Sequence, residues 1–340
     1  GLVGSEMCIR YSAWTDYTDG VSPATTAVVA HLTNGKAYVF RVAAINSAGT
    51  GPWSAPSTQT TPRTTPTSPT LLSGVPGDGS VSLSWEAPST NGGSPVATYR
   101  IQYSSNGGSS WAAYTHAAST STIATVPNLA NGVSYTFRVA AVNAAGAGAW
   151  SAISGVVVPR TIPDSPTSTV GVPGDGLVTL SWKSPPSDGG AAIGDYLVQY
   201  SSDGGKTWSS FSHTPSANTA ATIPNLTNGT PYVFRVAAVN AAGTGAWSAV
   251  SASVTPRTVA GVPTAVTGVP GNGVVALSWK APASNGGSAV SDFAIQLSTD
   301  GGKTWSSYNH TPSANTAATI PSLTNGTPYV FRVAAVNAAG

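Results

Sequence analysis

Three kinds of residue in this chain stand at spacings that could support chemistry, and each recurs. Ser201, Asp203, Gly205, Thr207 and Trp208 form the pattern Ser-x-Asp-x-Gly-x-Thr-Trp, repeated at Ser298, Asp300, Gly302, Thr304 and Trp305. Histidine falls at His116, His213 and His310, with His31 elsewhere. Aromatic residues pair three positions apart as Trp111 with Tyr114, Trp208 with Phe211 and Trp305 with Tyr308. Large rigid rings side by side could receive the face of a sugar, so these six residues are a candidate glycan platform; the alternative is packing across a sheet edge.

The other constellations fail on their own requirements. A zinc site needs three or four converging ligands, and no second His or Cys lies near any of the histidines, which read as solvated loop residues. Asp188 and Asp195 are close in sequence, but Asn91 and Thr98 take their places one repeat earlier, so a glycosidase pair has no consistent basis. The serines have neither an adjacent base nor a nucleophile-elbow motif. The Ser-x-Asp-x-Gly-x-Thr-Trp pattern resembles the Asp-box of sialidases and related propellers, which would imply an enzyme. One copy per 97 residues is too sparse for propeller blades of ~40–50 residues. The pattern also loosens to Ser104-x-Asn106-x-Gly108-x-Ser110-Trp111. Turn chemistry predicts a tight hairpin instead, with the Asp or Asn side chain bonding nearby backbone and Gly supplying positive φ. No catalytic residue, metal site or cofactor is expected.

Composition narrows the class further. Charged residues make up 8% of the chain, 14 basic against 12 acidic, so there is no basic stripe for a nucleic acid. The 38 glycines and 26 prolines, together 64 of 340 residues, suit a β protein with many turns. Cys8 is the only cysteine, so no disulfide staples the modules and apolar packing must hold them. No run of 18 apolar residues is present to span a membrane as a helix.

The elements that position all these residues repeat with them. Asn131-Gly132-Val133-Ser134-Tyr135-Thr136-Phe137-Arg138-Val139-Ala140-Ala141-Val142-Asn143 has counterparts at 34–46, 228–240 and 325–337, and Arg41, Arg138, Arg235 and Arg332 are each 97 positions apart. An Asn-Gly turn signal followed by period-2 alternation predicts a half-buried strand in each, with Arg138 facing outward as an isolated charge. Val81, Leu83 and Trp85 alternate with serines, and Tyr99, Ile101 and Tyr103 with Arg100 and Gln102, which predicts two more strands. Seven short strands with turn signals every ~8–12 residues predict an all-β sandwich.

A Trp on the second strand, Tyr-x-Ile-x-Tyr on the third, and Leu six residues before Tyr-x-Phe-Arg-Val-x-Ala-x-Asn together resemble a fibronectin type III module. The sets are Trp85, Tyr99, Leu129, Tyr135 and Asn143; Trp182, Tyr196, Leu226, Tyr232 and Asn240; and Trp279, Phe293, Leu323, Tyr329 and Asn337. The resemblance covers residues 11–340 and implies tandem immunoglobulin-like, seven-stranded β-sandwiches in a linear array. It also implies a tyrosine corner, in which the hydroxyls of Tyr135 and its counterparts tie back to upstream backbone. Low charge and Asx-Gly-Gly loops resemble bacterial extracellular copies. In animal copies the loop after the Asn can carry Arg-Gly-Asp for integrins; here 143–148 reads Asn-Ala-Ala-Gly-Ala-Gly, without charge or anchor residue.

The Pro-Arg-Thr joints at 62–64, 159–161 and 256–258 predict short, semi-rigid linkers. They divide the chain into a partial module at 11–62, complete modules at 63–159 and 160–256, and a module at 257–340 without its last strand. Residues 1–10 match no repeat, the match beginning around Ser12. They read as a junction artefact, and the chain as a fragment. The expected function is a non-catalytic spacer or adhesion array of an extracellular or cell-surface protein, with an unknown protein or polysaccharide as partner. The alternatives are linker modules of a polysaccharide-degrading enzyme, or weak carbohydrate-binding modules. Unpaired edges in the terminal modules predict self-association.

Overall fold

In the computed structural model, the described residues are 4–10, 13–18, 20 and 22–340, with 4–6, 8 and 10 described by backbone alone; Ser12, where the repeat match was expected to begin, lies outside them. All named elements are strands. The first module holds β1 (Gly4–Arg10), β2 (Trp14–Tyr17), β3 (Val39–Asn46) and β4 (Gly49–Thr50). The second holds β5 (Thr70–Gly77), β6 (Ser80–Glu86), β7 (Thr98–Ser104), β8 (Ala112–Tyr114), β9 (Ile123–Val126), β10 (Thr136–Asn143) and β11 (Gly146–Ala147). The third runs through β12 (Thr167–Gly174), β13 (Leu177–Lys183), β14 (Asp195–Ser201), β15 (Ser209–Phe211), β16 (Ala220–Ile223), β17 (Val233–Asn240) and β18 (Gly243–Trp247). The fourth has β19 (Thr264–Gly271), β20 (Val274–Lys280), β21 (Asp292–Ser298), β22 (Ser306–Tyr308), β23 (Ala317–Ile320) and β24 (Val330–Val336).

Each of the second and third modules is a sandwich of two antiparallel sheets. In the second, β5-β6-β9 faces β8-β7-β10-β11; in the third, β12-β13-β16 faces β15-β14-β17-β18. The fourth pairs β19-β20-β23 with β22-β21-β24, and the first forms one sheet, β2-β1-β3-β4. The expected alternation is what fills the gap between sheets. Val81, Leu83 and Trp85 of β6 meet Tyr99 and Ile101 of β7 and Phe137, Val139 and Ala141 of β10 in one buried cluster. Trp85 sets its edge against Tyr99, with ring centres 5.1 Å apart, the favoured geometry for aromatic pairs. In the fourth module the buried cluster is smaller and Phe331 is only half-buried, where Phe137 and Phe234 are wholly enclosed.

The tyrosine corner is present in all four copies. The hydroxyls of Tyr38, Tyr135, Tyr232 and Tyr329 accept from the backbone N–H of Thr33, Ala130, Thr227 and Thr324, five residues upstream, at 3.0 to 3.2 Å. Residues 4–10, set aside on sequence grounds, form β1 and pair with β3 from Gly4 opposite Ile45 to Arg10 opposite Val39. Strand pairing uses backbone groups that every residue carries, so a segment without the repeat's side chains takes the place beside β3 that β7 takes beside β10.

Candidate functional site

Backbone parity decides what the aromatic residues can do. In β8, Tyr114 stands opposite Ile101, a core residue, and itself packs on the core; Phe211 and Tyr308 do the same. Trp111, three residues earlier, has the opposite parity and lies on the outer face. The six residues expected to form a glycan platform are therefore split: Trp111, Trp208 and Trp305 face out, whereas Tyr114, Phe211 and Tyr308 face in. A hollow beside the edge of the second module's sheet is lined by Tyr114, His116, Arg100, Gln102 and Trp150, without Trp111.

The outward tryptophans meet the strand arginine instead. The guanidinium carbon of Arg138 lies 4.2 Å from the ring centre of Trp111 and 4.7 Å from that of Trp150, so both faces of the cation are covered. Its edge is held as well: Nε and an Nη each donate to Oε1 of Gln102, at 2.8 and 2.6 Å, from the register partner on β7. Arg235 repeats this between Trp208 and Trp247, at 4.2 and 4.7 Å, with Gln199. Arg332 has Trp305 at 4.3 Å and one hydrogen bond from Nε to Gln296. Arg41 lies between Trp14 and Trp53, at 4.2 and 4.5 Å, but Cys8 occupies the register position of Gln102, and among the described residues the buried Nε has no hydrogen-bond partner.

The expectation that Arg138 is an isolated charge is thus corrected. Cation–π contact and a charge-assisted hydrogen bond hold it, and the stack ties together three parts of the chain: the hairpin before β8, strand β10, and the segment after β11. In the second and third modules its surfaces are spent on one another, which leaves Arg138 and Arg235 little to offer a ligand.

The Ser-x-Asp-x-Gly-x-Thr pattern is a closed turn. Asp203 accepts from the hydroxyls of Ser201 and Thr207, both at 2.6 Å, and from the backbone N–H of Lys206 and Thr207 at 2.9 to 3.1 Å. Asp300 repeats this with Ser298, Lys303 and Thr304. In the second module Asn106 keeps the ring with one bond reversed, its Nδ2 donating to Ser110 Oγ at 2.8 Å. The Ser201 hydroxyl first, then the Thr207 hydroxyl, hold the Asp203 carboxyl well below the usual carboxylate range, and Asp300 follows suit. A depressed folded pKa stabilises above the unfolded value and is lost as pH falls through the folded one. The Thr207 and Thr304 amide resonances should therefore stay constant through about pH 4, where free carboxyls titrate, and move only in stronger acid; the Ser110 amide should not move at all. A Thr207 shift centred near pH 4 would contradict this turn.

The remaining candidates are structural too. Asp195 accepts from the backbone N–H of Tyr196 and Ser216, and Asp188 from that of Gly190, so the two carboxylates close separate turns. His213 is not a free loop side chain: Nδ1 lies 2.8 Å from Thr214 O and Nε2 2.9 Å from Tyr196 O, and His310 repeats the contacts. Among the described residues no three His, Cys, Asp or Glu side chains group as metal ligands, and no helix is long and apolar enough to cross a membrane.

The fibronectin type III domain matches residues 9–60, 66–157, 163–254 and 262–340. Myomesin-2 of Homo sapiens is 32% identical over 326 residues, 91% of this chain and 22% of that protein. The striated-muscle M-protein of Gallus gallus is 30% identical over 327 residues, again 91% of this chain and 22% of that protein. Fast-type myosin-binding protein C of Mus musculus is 32% identical over 162 residues, 47% of this chain and 14% of that protein. The chain thus spans about a fifth of the length of the first two relatives. The solved FN1-FN3 domains of chicken CNTN1 superpose at a TM-score of 0.32 with 22% identity, covering 80% of this chain and 95% of that one, too weak a likeness to carry weight. These relatives are animal proteins, one of them named for striated muscle and another for binding myosin. They overturn the likeness to bacterial copies and, with it, the expected extracellular or cell-surface location. The Asx-Gly-Gly loops behind that expectation answer to backbone geometry: Gly92 and Gly93 sit at φ +69° and +84°, which any compartment would require.

Proposed function

The chain belongs to the fibronectin type III domain family, and from that premise we propose that it is a structural scaffold whose repeated sheet faces hold other proteins at fixed spacing. In this reading the repeats themselves carry no catalysis. Modules at 11–62, 63–159, 160–256 and 257–340 are the proposed units of that spacing. The observation that carries the reading is the near-identity of the third and fourth modules. Residues 203–243 and 300–340 differ only at Phe211/Tyr308, Ser212/Asn309 and Asn225/Ser322. Modules that each recognised a different ligand would differ in their loops; copies that add reach or avidity need not.

The name of one relative says that it binds myosin, so a myosin filament is the first partner to test. Cosedimentation of the whole chain with myosin filaments at physiological salt should show saturable binding. Retention on chitin or cellulose, with the chain remaining in the supernatant at every filament concentration, would overturn the proposal.

A further inference from the structure

Two joints between successive modules have the same construction, and it leaves the linker no slack. At the first, Gly35 of the Asn-Gly turn donates to Pro62 O at 2.9 Å, and Thr64 donates to Gly92 O at 2.8 Å in the following module. Only Arg63 lies between those two bonds. Asn143 then closes the joint from the far end of that module, its Nδ2 donating to Thr64 O at 2.8 Å and to Asn91 O at 2.7 Å. At the second joint Gly229 donates to Pro256 O, Arg257 to Gly174 O and Thr258 to Gly286 O, at 2.8 to 2.9 Å. Asn337 binds Thr258 O at 2.9 Å and Asn285 O at 2.7 Å. Every linker residue there has a backbone partner.

The modules also touch where neither has a side chain. A methyl group on Gly93 would stand 2.6 Å from the carbonyl carbon of Asn34 and press on the Gly35 nitrogen; one on Gly287 would stand 2.8 Å from that of Asn228 and press on Gly229. Gly35, Gly93, Gly229 and Gly287 all have φ between +83° and +85°, where a Cβ is strained in any case. Glycine against glycine brings backbone to backbone with no rotamer to yield. Relative motion is the ordinary expectation for domains joined by a short linker and a small interface.

We infer that these joints are rigid couplings: Gly93 and Gly287 seat each module on the Asn-Gly turn of the one before it, and Asn143 and Asn337 lock the linker in place. This deepens the scaffold reading, and rests on it for its purpose, but it is tested without any partner. Its failure is therefore distinct from a failure to bind filaments.

The test uses the full chain with Cys8→Ser and nitroxide labels on cysteines at Thr222 and Thr319, exposed positions on β16 and β23. Pulsed dipolar spectroscopy should give a single narrow distance. Gly287→Ala should shift it or about double its width, toward the spread of a flexible linker, and Asn337→Ala should broaden it less. Gly301→Ala controls for backbone strain, since Gly301 has φ +74° but no atom within 4 Å of an added methyl; it should change nothing. A broad distribution in the parent chain, an unchanged one in Gly287→Ala, or equal broadening in Gly301→Ala would each overturn the inference.

Discussion

Phe234→Ala is expected to cost the third module about 3–5 kcal/mol, the range for removing a buried aromatic ring and leaving its cavity. Phe234 is 0% exposed and lies on β17, a central strand, among Val178, Leu180, Tyr196 and Val236. With no disulfide to hold the sheets together, a loss of that size approaches the whole stability of a domain this small. Because a chain of several domains does not unfold in one step, the readout should be local. Hydrogen exchange at Val236 and its strand neighbours should accelerate to the unfolded rate, while β10 of the second module keeps its protection. Phe331→Ala in the fourth module should cost less, since Phe331 is only half-buried.

The second large effect is expected on the outer face. Arg235→Ala removes two cation–π contacts and leaves Gln199 Oε1 without its donors, so the third module should lose about 2–3 kcal/mol. The four copies supply their own controls. Arg138 has the same two rings and the same glutamine and should behave alike. Arg332 has one ring and one hydrogen bond, so Arg332→Ala should cost markedly less. Arg235→Lys keeps the charge but not the planar fork that both stacks and binds Gln199, and should recover only part of the loss. Urea unfolding followed by residue-resolved NMR would rank all four.

Much of this was legible in the sequence, for physical reasons that differ from residue to residue. The strands could be read because alternation in Val81-Ser82-Leu83-Ser84-Trp85 is a direct image of which side faces the other sheet. The corner at Tyr135 is implied by the resemblance to the fibronectin type III module, and the structure makes it a local contact, five residues back to Ala130. The Trp111–Arg138–Trp150 stack was not found, because its members come from three segments and meet only once the strand register is known. One signal was available: Trp111 and Tyr114 are an odd number of residues apart, so one strand cannot present both on the same face. Location is not legible in low charge or in Asn-Gly-Gly loops, because the loops report a backbone conformation and a backbone conformation carries no information about compartment.

The central claim is that the recurrent aromatic and charged residues hold the fold and do no chemistry on a ligand. It is tested most directly by the unfolding free energy of the third module in Trp208→Ala, measured in the whole chain. Trp208 covers one face of Arg235 at 4.2 Å, so the account predicts a loss of about 1–2 kcal/mol from that contact alone. An unchanged stability, with retention on polysaccharide abolished by the same substitution, would contradict it and make Trp208 a binding residue.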